Sequence, residues 1–212
     1  MPSVAPRADL SIRTPRAEAR RLQVLEVAGR CFAKDGFAKT RIEDVAAVAG
    51  VSRALVYNYF GSKQTLAREV QSHMLEEWTA AVDEAIEEAH GCLDALAAWL
   101  RVSLSDSKRR PLLVAVLADD ATRVLVGWDD AARQAMSEWR TKLVALIEWG
   151  IASGEIRPDI DPERTVDVLR AMQIGMMQHL LTATPYVDVS DERHLRAATA
   201  LLVGGLRAPG PH

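Results

Sequence analysis

The stretch Ser52-Arg53-Ala54-Leu55-Val56-Tyr57-Asn58-Tyr59-Phe60 gathers more recognition chemistry than any other part of the chain. Arg53 can form two parallel hydrogen bonds to a guanine edge, or hold a phosphate. Ala54 and Leu55 offer only apolar contact, such as a thymine methyl accepts. Tyr57, Tyr59 and Lys63 can donate to phosphate oxygens, which fixes register without reading sequence. No comparable set exists for catalysis. The chain has no His/carboxylate/Cys cluster, glycine-rich phosphate loop or nucleophile motif, so an all-helical enzyme is the weaker reading. His73, His90, His179 and His194 are scattered without metal-ligand spacing, and Cys31 and Cys92 form no Cys-x-x-Cys pair. Neither a metal nor a cofactor is expected.

A rigid mount is needed to aim these side chains, and the local sequence supplies one. Val24, Leu25, Ala28 and Phe32 are spaced for one face of a helix that starts near Arg16 and stops at Asp35-Gly36. Thr40-Arg41-Ile42-Glu43 has the form of a capping box, which starts a short helix to about Val48. In Ala49-Gly50-Val51-Ser52, Gly50 permits a tight bend and Ser52 caps a second short helix from Arg53. Two short helices joined by a glycine turn form a helix-turn-helix, whose second helix lies in the DNA major groove. Charge follows the same division. Residues 1–63 carry 11 Lys and Arg against 6 Asp and Glu, whereas the remainder carries 15 against 23, so only the first part suits a polyanion.

Residues 24–66 resemble the DNA-binding region of the TetR family of one-component bacterial transcription regulators. The resemblance rests on Val24-Leu25, Ala28, Phe32, Gly36-Phe37, Thr40, Asp44-Val45-Ala46, Ala49-Gly50-Val51-Ser52, Tyr57-x-Tyr59-Phe60 and Ser62-Lys63-x-x-Leu66. It implies DNA contacts from Thr40, Arg41, Ser52, Arg53, Ala54, Leu55, Tyr57, Tyr59 and Lys63. Two positions depart from the pattern. Arg41 replaces a common second hydroxyl and offers a charged phosphate contact. Ala54-Leu55 replaces a common Gly-Thr and removes a polar base contact, so the operator cannot be borrowed from relatives. The resemblance also implies a C-terminal domain that dimerises and binds a small effector, and a repressor rather than an activator.

The expected fold class is all-α: an N-terminal three-helix DNA-binding domain and a C-terminal helical bundle. The expected divisions are a flexible basic arm over 1–15, the helix-turn-helix domain over 16–62, and the ligand-binding and dimerisation domain over 63–212. The last would hold a long helix from Lys63 to about Ala89, a helix through Leu93, Leu96, Leu100 and Leu104, and one from Pro111 to about Asp120. Ala132, Met136, Trp139, Leu143, Leu146 and Gly150 then step at helical spacing, and two further helices cover about 162–182 and 190–206.

All five Trp lie beyond residue 63. Trp78, Trp99, Met136, Trp139, Met172 and Met176 are candidates to line an effector cavity, with Trp149 and Met177 in the same compositional group. Taken singly, each is more readily read as packed core. The helix over 162–182 is apolar nearly all round, so a second copy is expected to cover it. Ile174, Met177, Leu195 and Leu202 are the candidate dimer contacts, in a four-helix interface with two helices from each subunit. No apolar run approaches the roughly 18 residues of a membrane span, and the start lacks an apolar signal core. A cytoplasmic protein, partnered by double-stranded DNA, an effector and itself, is the expectation.

Overall fold

The computed structural model describes residues 14–105, 114, 130–179 and 191–209. Residues 1–13 of the arm expected over 1–15, all but residue 114 of the helix expected from Pro111, and the stretches around Trp128 and Leu181 lie outside them, while Thr14 and Pro15 already cap and open the first helix. Eight helices are described: α1 (Pro15–Asp35), α2 (Ile42–Ala49), α3 (Arg53–Phe60), α4 (Lys63–Glu87), α5 (Cys92–Ser105), α6 (Asp130–Ala152), α7 (Pro162–His179) and α8 (Glu192–Leu206). The described chain is all-α, as expected. Its β-type pairing is one isolated bridge, Ile156 with Arg207, which ties the end of α8 to the turn after α6.

Short side chains cap the starts of several helices. Thr14 accepts from the Ala17 N–H, Ser52 from Leu55, Ser62 from Thr65 and Asp191 from Arg193. The α2 cap differs from the expected box. Arg41 is its N-cap, and the Arg41 N–H donates to the Asp44 carboxylate at 3.2 Å, while Thr40 sits one residue outside. The start of α5 is covered from a distance. Glu155, in the turn after α6, accepts from the N–H groups of Cys92 and Leu93 at 3.2 and 3.3 Å.

Two apolar cores form. Val24, Ala28, Phe32, Val45, Val56 and Phe60 join Leu66, Ala67 and Val70 of α4 in the first. Leu75, Trp78 and Val82, further along the same helix, belong to the second with α5, α6, α7 and α8. Met74 packs against both. Thus α4 is shared by the two cores. It anchors the helix-turn-helix unit at one end and enters the C-terminal bundle at the other.

Helix α5 lies at the centre of that bundle, against α4, α6, α7 and α8. Gly150 lets α6 approach it closely. A Cβ there would stand 2.5 Å from Cys92 Sγ and 2.7 Å from Ile156 Cδ1. The Cys92 thiol is fully buried and donates to the Leu146 carbonyl at 3.0 Å. Burial, then the nearby Glu155 carboxylate, pushes its pKa up to about 12.

Candidate nucleic-acid interface and ligand cavity

The bend between α2 and α3 depends on Gly50, whose φ of 64° and ψ of 34° are left-handed. The Val51 N–H donates to the Ala46 carbonyl and closes α2. Val45, Ala46 and Ala49 on α2, with Val56 and Phe60 on α3, then bury the inner faces of both helices. This packing leaves Ser52, Arg53, Ala54, Tyr57 and Asn58 on the open face of α3. Asn58 was not singled out from the sequence. Its position four residues after Ala54, on the same helical face, was the available signal. An amide there can donate and accept at an adenine edge.

Arg53 is organised by its neighbours. Its Nη1 lies 2.8 Å from Glu43 Oε1 on α2, and its guanidinium stands 5.3 Å from the centre of the Tyr57 ring. Tyr57 first, and Glu43 second, raise its pKa above the ordinary arginine value, so it is a permanent cation. Arg41 is exposed at the start of α2, beside exposed Lys39. Arg53 and Tyr57 thus present a basic and polar surface on α3.

The other expected contact residues also meet groups within the chain. Thr40 is 3% exposed, and its hydroxyl donates to the carbonyls of Gly36 at 2.8 Å and Cys31 at 3.2 Å, which binds the α1–α2 loop to α1. Leu55 and Tyr59 are half-buried, with Tyr59 edge-on to Phe60 at 6.0 Å. Lys63 Nζ donates to the Ala38 carbonyl at 3.3 Å and sits 4.4 Å above the Phe37 ring. Its ammonium therefore ties α4 to the α1–α2 loop.

In the C-terminal bundle, Trp78, Trp99, Met136 and Trp139 line one cavity with Arg140, Leu143, Arg170, Gln173 and Ile174. Its free volume is about 10 Å³. Trp78 and Trp139 pack with ring centres 5.3 Å apart, which joins α4 to α6. Lys142 reinforces the join, paired with Asp83 at 3.0 Å and lying over Trp139. Met172 and Met176 line a different opening, with Leu169, Leu201 and Leu202 between α7 and α8. Trp149 lines neither described cavity, being 53% exposed on α6. Among the described residues no group of His, Cys, Asp or Glu could hold a metal ion.

The expected dimer residues divide, within the single chain, between its core and the small cavity. Met177 and Leu202 are buried in the subunit's own core, and Ile174 lines the small cavity. Leu195 is half-buried against the same core. The α7 helix is also not buried on all sides. Val168, Met172 and Leu201 are 58%, 47% and 72% exposed, on a groove of about 420 Å³ between α7 and α8.

Residues 24–70 match the family model described as bacterial regulatory proteins, tetR family, and residues 125–190 match a tetracyclin repressor-like C-terminal domain. The chain is 27% identical over 153 residues to the HTH-type transcriptional repressor KstR2 of Mycolicibacterium smegmatis, covering 72% of this chain and 75% of that one. It is 29% identical over 192 residues to the HTH-type transcriptional regulator RutR of Escherichia coli, covering 87% and 84%. The fold matches AibR, solved in complex with isovaleryl coenzyme A and operator DNA, with a TM-score of 0.70 at 17% identity over 87% of this chain and 98% of that chain. The exposed α3 surface, the two cores joined by α4 and the two family matches agree, and the chain belongs to the TetR family of bacterial transcription regulators.

Proposed function

We propose that the protein is a homodimeric repressor that leaves a pseudo-palindromic operator when a small effector enters its C-terminal bundle. The observation that carries DNA reading is the open face of α3, where Arg53, Ala54, Tyr57 and Asn58 stand clear of the core. Arg53 suits a base edge, and Tyr57 and Arg41 suit the flanking phosphates. The apolar stripe of Val168, Met172 and Leu201 supports dimerisation, because a second copy covers it by two-fold symmetry. KstR2, a sequence relative, is named a repressor, which supports that direction of control.

Release would act through α4. Its first turns, at Leu66 and Val70, sit in the DNA-binding core, and Trp78 reaches the cavity about 22 Å along the axis at 1.5 Å per residue. An effector that parts Trp78 from Trp139 would tilt this helix and alter the spacing of the two α3 helices. It works only by binding the released geometry more tightly than the DNA-bound one.

Selection of binding sequences from a random duplex pool tests the reading. The expected product is an inverted repeat with half-sites about 34–36 Å, one helical turn, or a multiple of it apart. Arg53→Ala should relax one base position in each half-site by roughly 1–3 kcal/mol. A pool that shows no enrichment would refute the proposal.

A further inference from the structure

Three side chains on the small cavity carry nitrogen atoms with no acceptor among the described residues: Trp78 Nε1, Trp99 Nε1 and Gln173 Nε2. These residues are only 3%, 1% and 4% exposed. Buried N–H groups are nearly always paired, so three orphans on one cavity are a concentration that demands a reason. Indole nitrogen only donates, so reversing the Gln173 amide would leave two of the three unchanged. The cavity also carries a second arginine. Arg140 is held by Asp167 at 3.0 Å and Glu163 at 3.6 Å, whereas Arg170 makes no direct ion pair among the described residues and acts on Asp167 only from a distance. Met136, Leu143 and Ile174 complete an apolar wall.

Resting on the regulator reading above, we propose that this cavity is the effector site and that its effector is a small amphipathic carboxylate. The carboxylate oxygens accept from Trp78, Trp99 and Gln173, with Arg170 as counter-charge, and the apolar body lies against Met136, Leu143 and Ile174. An ammonium ion brings no acceptor and meets Arg170 with like charge. An alcohol brings one oxygen and no charge, and leaves donors unpaired. At about 10 Å³ the closed cavity holds about one water. The carboxylate therefore enters by separating helices at the Trp78–Trp139 contact, the movement that repositions α4.

Straight-chain carboxylates from butanoate to decanoate, with alcohols and alkylammonium ions of the same lengths, test this by tryptophan emission and operator release. At least one carboxylate should change emission and release operator over the same concentrations, at least tenfold below the matching alcohol, with the ammonium ions inert. Gln173→Leu replaces an unpaired donor by an apolar group of similar size. It should raise the melting temperature, by roughly 2–4 °C, and weaken the carboxylate at least tenfold. Arg170→Gln, at a half-buried position, should weaken it as well and supplies a second variant if Gln173→Leu fails to fold. The proposal is overturned if no carboxylate binds, if alcohols or ammonium ions bind as tightly, or if both folded variants bind normally. A protein that selects no DNA would defeat the regulator reading alone, because the emission titration decides the carboxylate independently.

Discussion

Leu201 and Leu202 are neighbours on α8 with opposite surroundings, and exchanging each for alanine should produce two different failures. Leu201 is 72% exposed, whereas Leu202 is 5% exposed and packs in the C-terminal core. Full burial of a leucine is worth about 1.5–3 kcal/mol, so covering the open part of Leu201 would contribute about 1–2 kcal/mol per copy. A two-fold interface uses it twice, which gives about 2–4 kcal/mol, or roughly 30- to 1000-fold in the dimer dissociation constant. Leu201→Ala should weaken the dimer by that factor and leave helix content unchanged. Leu202→Ala instead opens a core cavity and should cost about 2–5 kcal/mol of folding stability. Sedimentation over a concentration series reads the first, and urea unfolding followed by circular dichroism reads the second. A dimer constant within threefold of the parent for Leu201→Ala, or the reverse assignment of the two defects, would refute the assignment of this face.

The Arg53–Glu43 pair restrains the cation proposed above to meet operator DNA. Glu43→Gln should tighten operator binding a few-fold at low salt, and by less as salt rises and screens the exposed pair; an unchanged affinity at low salt in equilibrium titrations would contradict this. Cys92 makes a pH prediction. Its thiol titrates at 9.0 when unperturbed and at about 12 when folded, so the unfolded chain loses this proton first as pH rises. Its contribution to stability is complete below pH 9 and is lost between pH 9 and 12. The urea midpoint should therefore fall more steeply across that range in the parent than in Cys92→Ala, and a thiol reagent at pH 8 should spare Cys92 until the chain unfolds.

The DNA-binding unit was legible in the sequence because its determinants are local. Gly50 and Ser52 fix a turn and a cap within four residues, and spacing alone divides Val56 and Phe60 from Arg53 and Tyr57. The Thr40 hydroxyl answers carbonyls at Gly36 and Cys31, one of them nine positions away on α1, a tie that local spacing does not reveal. Lys63 was likewise claimed by Ala38 and Phe37 on a loop 25 residues upstream. In the C-terminal part, composition gathered Trp78, Trp99, Met136 and Trp139, which do share a cavity, but could not separate them from Met172 and Met176. Periodicity found two apolar helices at the end of the chain without saying which apolar face meets the core. That choice, Leu202 inward and Leu201 outward, is made by α5, and only tertiary packing reveals it.

The regulator proposed here is one assembly, two copies of this chain presenting two α3 helices to one operator. Measuring the mass of the complex formed with a selected full-site duplex, and with a single half-site, tests it most directly. Two chains on the full site, formed cooperatively, with weak binding to the half-site, is the result this account predicts. A single chain that binds full and half sites with equal affinity would contradict it.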